Sequence, residues 1–209
     1  MRSADAARKL RARGPSTLAP LKRSLAQAAM AVALGCVFGV AAAEPPHVDP
    51  PPSDGAGLEL AVKATYLYKL APFVKWPAAT NAGSNAPLVI CVQGTDPFGL
   101  VLDRAVSGQA VGIHPVVVRR LARIEPGSGC QIAYVAGGPA QSQAQALEAV
   151  EAAPVLTVTD EARGAGPRGI VHLLLDAGKV RFSIDAGQAE ASGMAISSKL
   201  LALAVAVKR

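Results

Sequence analysis

The chain has 209 residues, of which 51% are hydrophobic and only 4% aromatic, and its formal net charge is +6. The basic excess is confined to residues 1–43, which hold seven Lys or Arg and one acid, so the remaining 166 residues carry fourteen basic and fourteen acidic side chains. This neutral remainder excludes a protein that binds nucleic acid through a basic surface. It is long enough for one domain with its own hydrophobic core.

The first 43 residues have the pattern of a secretory signal peptide. A long basic stretch precedes an apolar run over residues 25–40, and small residues at 41–43 provide a cleavage site. We expect this signal to be cleaved, which predicts an exported protein. An uncleaved membrane anchor stays open as an alternative, although the run barely reaches the roughly 20 apolar residues that a span needs. Lipidation of Cys36, after a loose match to a lipidation box, is a third reading.

The first part of the domain combines a flexible lead-in with an apolar helix. Residues 44–57 are rich in Pro and Gly and lack periodicity, which predicts the lead-in. A helix follows, because apolar residues recur at intervals of four, at Leu58, Val62, Tyr66 and Leu70. We expect Pro72 to end this helix, because proline lacks a backbone donor. Residues 62–77 hold the only Trp, two of the three Tyr and one of the four Phe, so this segment either anchors the core or presents a partner surface.

Strand and helix patterns alternate through the rest of the chain. Short apolar runs predict strands at residues 88–92, 115–118, 132–135 and 155–158. Helical patterns cover residues 97–106, with Asp96 as cap, and residues 139–152. Two further runs, which flank Asp176-Ala177-Gly178, predict a β-hairpin at residues 169–175 and 179–184. A last helical pattern, broken near Ser192-Gly193, covers residues 186–207.

This alternation predicts an α/β fold. Helices would flank a mostly parallel sheet of about five to six strands in a three-layer sandwich, with the C-terminal β-hairpin at one side of the sheet. We expect a single domain of this kind over residues 58–207.

Two cysteines remain after cleavage of the signal, Cys91 and Cys130. An even pair in an exported protein favours a disulfide. Two buried free thiols are the alternative, because cysteine also packs as a small hydrophobe.

No group of residues in the sequence has the spacing of a catalytic or metal site. Ser197-Ser198-Lys199 lacks the one-turn separation that Ser–Lys hydrolases use, and His47, His114 and His172 have no metal-ligating neighbours. The segment 94–99 joins a strand end to a helix start and could bind an anion, but the carboxylate of Asp96 would occupy the same amides, which favours an ordinary capped helix. We therefore expect no enzyme, no metal and no cofactor.

Three groups of motifs resemble the YfiR-like family of bacterial periplasmic proteins. The first is KATYLY at residues 63–68 with FVKWP at 73–77. The second is ICVQGTDPFG at residues 90–99 with GCQI at 129–132. The third is RGIV at residues 168–171, VRFSI at 180–184 and ISSKLL at 196–201. The order and spacing of these motifs extend the resemblance over residues 58–207.

The resemblance implies a periplasmic protein without catalytic activity of its own. Such members bind the periplasmic part of an inner-membrane diguanylate cyclase and inhibit it, which makes them negative regulators of cyclic-di-GMP signalling and biofilm formation. An outer-membrane lipoprotein can sequester them, and they tend to form homodimers. Cys91 and Cys130 correspond to two family cysteines that pair between strands.

The sequence offers candidate residues for a partner surface and candidate loops for a ligand pocket. Large apolar side chains and two cations are the candidates for the partner surface, namely Phe73, Trp76, Ile196, Leu200 and Leu201, with Arg181 and Lys199 at the rim. Packing in the core is the alternative for each apolar one, and exposure to solvent for each cation. If the protein is instead a small-ligand binding module of a sensory or transport system, the strand-end loops 94–99 and 136–139 would form its pocket.

Overall fold

Eight strands of the chain form one sheet, and helices cover both of its faces. The structure is a computed structural model that describes residues 54–81, 86–164 and 166–209. The predicted signal peptide, Cys36 and residues 44–53 of the predicted lead-in lie outside these ranges. Within them, no helix combines the length and the apolar character that crossing a membrane requires.

The described residues contain five α-helices and ten strands. The helices are α1 Asp54–Lys69, α2 Leu100–Val106, α3 Gln143–Ala149, α4 Ala186–Ala191 and α5 Ser198–Leu201. The first five strands are β1 Val74–Lys75, β2 Leu88–Gly94, β3 Ala110–Val111, β4 His114–Leu121 and β5 Ile132–Gly137. The others are β6 Leu156–Asp160, β7 Val171–Asp176, β8 Lys179–Asp185, β9 Ala195–Ile196 and β10 Ala206–Lys208. Three 3-10 helices lie at Ala71–Phe73, Ala78–Asn81 and Glu161–Arg163.

The sheet has the strand order β10-β8-β7-β6-β5-β2-β4-β3. Its neighbours run parallel except in the β7–β8 hairpin and at the β3–β4 edge. The predicted α/β sandwich with a mostly parallel sheet and a C-terminal hairpin is therefore confirmed. The sheet has eight strands because the short edge strands β3 and β10 add to the six predicted ones. The strands β1 and β9 form a separate two-stranded sheet.

Two apolar cores lie on opposite faces of the sheet. The larger one packs α1, α2 and the C-terminal segment against the sheet and includes Leu67, Leu102 and Phe182. The smaller one packs α3 and includes Cys91, Cys130 and Ala146. Parallel strands that are covered on both faces have nearly continuous apolar sequences. This is why the central strands can be recognised as short apolar runs.

The helix α2 begins at Leu100, three residues later than its predicted start. Asp96 caps no α-helix, because its Oδ1 atom accepts a hydrogen bond from the Phe98 N–H at 2.7 Å and its Oδ2 atom accepts one from Arg120 Nε at 2.7 Å. Arg120 also donates to the Gly99 carbonyl and to both carboxylate oxygens of Asp103. The loop before α2 is therefore held by one arginine, and the Asp96 carboxylate occupies the place where an anion would have to bind.

Both ends of the domain differ in detail from the predicted pattern. The helix α1 begins at Asp54 and includes residues 54–57 of the predicted lead-in, and it ends at Lys69 before a 3-10 turn that contains Pro72. The predicted helical pattern over residues 186–207 is interrupted near Ser192-Gly193 as expected, but its second half is wrong, because only the short α5 is α-helical after the break. Gly193, with φ +75°, reverses the chain, and the residues on either side of α5 pair as β9 and β10.

Candidate functional site

The helix α1 has apolar residues on both its buried and its outer face. Ala64 and Leu67 are fully buried against the sheet. Leu58, at 67% exposure, and the half-buried Val62 and Tyr66 lie on the outer side. The wide stripe that the sequence shows is therefore divided, with one part in the core and the other on the surface.

A buried ion cluster fixes the orientation of α1. Lys63 is only 2% exposed, and its Nζ atom lies 2.7 Å from Oδ2 of Asp160 and 2.5 Å from Oε1 of Glu59. Burial lowers the pKa of Lys63, but the hydrogen bonds and charges of the two carboxylates outweigh it, so the pKa is raised above its usual value. Burial, together with the charge of Asp160, also raises the pKa of Tyr134 to about 12. The lysine is therefore charged and fully partnered, as a structural anchor would be.

The loops proposed for a ligand pocket pack directly against each other. They lie at the ends of β2 and β5, the neighbouring strands between which the strand order reverses. Open α/β sheets usually bind their ligands at such a point. Here the Thr95 N–H donates to the Gly137 carbonyl at 2.9 Å, and a Cβ atom on Gly94 would lie 2.1 Å from that same oxygen. The buried Gln93 side chain fills the remaining space, accepting from the Gly137 N–H and donating to the Gln141 carbonyl. The expected pocket between loops 94–99 and 136–139 is therefore closed.

Cys91 and Cys130 form a disulfide bond, with Cα atoms 5.8 Å apart. Cys91 lies within β2, and Cys130 lies two residues before the neighbouring strand β5. Both cysteines are buried in the smaller core. The bond therefore links two adjacent strands on the face that packs against α3.

Three of the predicted partner residues lie close together at the two-stranded sheet. Val74 of β1 pairs with Ile196 of β9, and the Ser197 N–H donates to the Phe73 carbonyl at 2.8 Å. Phe73, Trp76 and Ile196 are all partly buried and pack against the larger core. The Nε1 atom of Trp76 is buried, and none of the described residues offers it an acceptor.

The other four predicted partner residues have different surroundings. Leu200 is 3% exposed and belongs to the core, whereas Leu201 is partly buried and Lys199 is exposed. The side chain of Arg181 is 50% exposed and lies 4.0 Å from a carboxylate oxygen of Asp176. A cleft of about 180 Å³ brings Arg181 and Leu200 together with Phe73 and residues of α1.

None of the partner residues predicted from the sequence lies on the outer face of α1. A shallow apolar groove lies there, and we call it the α1 groove; its lining residues are Leu58, Ala61, Val62, Thr65, Tyr66 and Lys69. Tyr66 and Lys69 also line the cleft with Arg181, so the two depressions adjoin each other. Leu203, which is 62% exposed, also lines the cleft. The width of the apolar stripe, which exceeds what one buried face needs, is the signal in the sequence that points to this groove.

The two described histidines have local hydrogen-bond partners. His114 Nδ1 lies 2.7 Å from the Ala86 carbonyl, and His172 Nδ1 lies 2.9 Å from the Thr159 hydroxyl. Burial and the charge of Arg168 lower the pKa of His172. Among the described residues, no group of three or more His, Cys, Asp and Glu side chains is arranged to hold a metal ion.

A third depression lies on the other face of the sheet, between α3 and the C-terminal segment. It measures about 320 Å³ and mixes both charges, with Glu148, Glu151 and Arg168 in its lining. Lys208 and Asp185, also in the lining, form an ion pair at 2.8 Å. Burial raises the pKa of Asp185, but its hydrogen bonds to Lys208 and to the Gln188 amide lower it by more.

No curated protein is similar enough to match the chain. A family model described as YfiR/HmsC-like, DUF4154, matches residues 60–205, which is more than two thirds of the sequence and includes both cores and the disulfide. The chain therefore belongs to the YfiR/HmsC-like family.

Proposed function

We propose that the protein is a non-catalytic periplasmic regulator that binds and inhibits a membrane-bound diguanylate cyclase, and so acts as a negative regulator of cyclic-di-GMP signalling and biofilm formation. Membership of the YfiR/HmsC-like family over residues 60–205 is the observation that carries this proposal. The predicted export signal at residues 1–43 supports a periplasmic location. An outer-membrane lipoprotein that sequesters the regulator, and a homodimer, belong to the same proposal.

Inhibition follows if the regulator binds one conformation of the cyclase more tightly than the other. Such a regulator needs a surface with apolar anchors and a polar rim. Phe73, Ile196 and Leu201 offer partly exposed apolar atoms, and Arg181 and Lys199 offer exposed charges near them. Leu200 is buried in the core beneath this surface, so it would support the neighbouring side chains and would not touch the partner itself.

Capture of the partner from the native bacterium tests this function. The full chain carries an affinity tag, and the detergent-solubilised envelope is searched for a membrane protein that synthesises cyclic-di-GMP. We expect a cyclase whose activity is lower while the regulator is bound. Replacing Lys199 with Glu should weaken capture without changing the melting temperature. If a folded bait recovers no cyclase, the proposed function is wrong.

The small-ligand alternative has weaker support in the structure. Its expected pocket is closed by the contact between Gly94 and Gly137. The depression beside α3 favours it. A small molecule that raises the melting temperature, and that no longer does so after Arg168→Ala, would move the assignment to this alternative.

A further inference from the structure

We propose that the α1 groove is a docking site for an amphipathic helix of the partner protein, in which an apolar ridge is bordered by carboxylates. This site rests on the proposed function, because its occupant is a segment of the partner that this function requires. It adds a second contact region beside the one that contains Phe73, Ile196 and Lys199, and it specifies the chemistry of the segment that binds.

The groove offers apolar surface that no described element covers. Leu58 is 67% exposed, and Val62 and Tyr66 are only partly buried. The Tyr66 ring is held from below by an edge contact with Phe182, with ring centroids 5.8 Å apart. Contiguous exposed apolar surface with a fixed floor is typical of an interaction site.

The middle of the groove suits close approach by a helix. Ala61 has no side-chain atom beyond Cβ, and small residues shorten the distance at which two helices can pack. The Thr65 hydroxyl donates to the Ala61 carbonyl at 2.8 Å, so it already has its acceptor within α1. Covering Thr65 with an apolar side chain therefore leaves no buried donor unsatisfied.

The charges at the end of the groove select an acidic partner. Lys69 is exposed, its Nζ atom lies 5.0 Å from the centre of the Tyr68 ring, and no carboxylate among the described residues is within ion-pair distance of it. Arg181, in the adjoining cleft, has the exposed Asp176, at 4.0 Å, as its one carboxylate partner among the described residues. Two available cations beside an apolar groove are complementary to carboxylates that flank an apolar ridge.

A second copy of the chain fits this groove less well. Glu59 of α1 is already paired with Lys63 at 2.5 Å. Two copies that met groove to groove would bring the two Lys69 side chains toward the same apolar surface, and Glu59 would not be free to pair with them. Like charges across an interface oppose association.

Photo-crosslinking in the native bacterium tests the docking site. A benzophenone amino acid replaces Leu58 in the full chain, and the matched control replaces Ile113, which is 68% exposed in the turn between β3 and β4. We expect an adduct at Leu58, and none at Ile113, with an acidic amphipathic segment of a membrane protein. Lys69→Glu should reduce the adduct yield about fivefold, whereas Lys69→Arg should preserve it.

Other outcomes overturn the proposal in distinguishable ways. Adducts at Leu58 with a second copy of the chain, or with lipid alone, would assign the groove to dimerisation or to the membrane surface. Absence of any adduct would show that nothing docks there, and capture of the partner would then decide separately whether the proposed function also fails. An adduct at Leu58 with an acidic amphipathic segment of a membrane protein other than a cyclase would support the docking site and refute the proposal that the partner is a cyclase.

Discussion

The Nζ atom of Lys63 and a carboxylate oxygen of Asp160 lie 2.7 Å apart in the interior of the protein. The lysine is on α1 and the aspartate is the last residue of β6, so one ion pair joins the first helix to the middle of the sheet. The contact fixes the rotation of α1 about its axis. It therefore also determines which apolar residues form the outer groove.

Breaking this pair should be strongly destabilising. Asp160→Ala leaves a buried ammonium group with Glu59 as its remaining partner, and it also removes the acceptor of the Ala162 N–H. We expect a loss of about 3 kcal/mol in the free energy of unfolding, measured with urea. Lys208→Ala, which breaks an exposed pair at 2.8 Å, is the matched control and should cost less than about 1 kcal/mol. Equal losses in the two variants would contradict the structural importance of the buried pair.

The disulfide should contribute a large share of the stability. Its cysteines are 39 residues apart in sequence, and a loop of that length corresponds to about 4 kcal/mol in the chain-entropy treatment. The double variant Cys91→Ala/Cys130→Ala should therefore unfold at a clearly lower urea concentration than the oxidised protein. Full reduction should lower the melting temperature of the natural chain but leave that of the double variant unchanged. Identical melting curves for the oxidised and reduced natural chain would refute this.

A glycine pair with no space for a side chain should be intolerant of alanine. A Cβ atom at Gly94 would lie 2.1 Å from the Gly137 oxygen, and Gly94 has φ +81°. We expect Gly94→Ala to cost at least about 3 kcal/mol, from overlap and backbone strain together. Gly108→Ala is the control, because Gly108 has φ +69° and open space around it, so strain alone should cost about 1 kcal/mol. Urea unfolding of both variants separates the two contributions.

Stability should fall as the pH falls below about 6.5. Burial, with the charge of Arg168 as the second cause, lowers the pKa of His172, so below its ordinary pKa of 6.5 the unfolded chain binds a proton that the folded chain does not. Protonation therefore favours the unfolded state, and the loss grows until the pH reaches the lowered pKa. The free energy of unfolding at pH 7.5 and pH 5 measures the effect. His172→Asn should reduce the difference, and an unchanged difference in that variant would assign the pH dependence to another group.

The sequence predicts the central sheet well because its strands are covered on both faces and are continuously apolar. It predicts poorly which face of α1 is buried, because apolar residues occur on both the buried and the outer face of this helix. Lys63 lies on the buried side of α1, but a lysine in a sequence is normally expected to face solvent. Its burial is explained by the ion pair with Asp160, which is far away in the sequence and so cannot be foreseen from the helical pattern. The short strands β9 and β10 were missed because each depends on pairing with a distant strand.

The disulfide and the α1 groove lie on opposite faces of the sheet. Reducing Cys91 and Cys130 therefore removes stability from the α3 side without changing a residue that lines the groove. At the proposed periplasmic location, the redox state of the envelope would then set how many folded copies exist, while each folded copy keeps the same affinity for the proposed partner. Titration of binding with reduced and oxidised protein, corrected for the folded fraction, should give one dissociation constant.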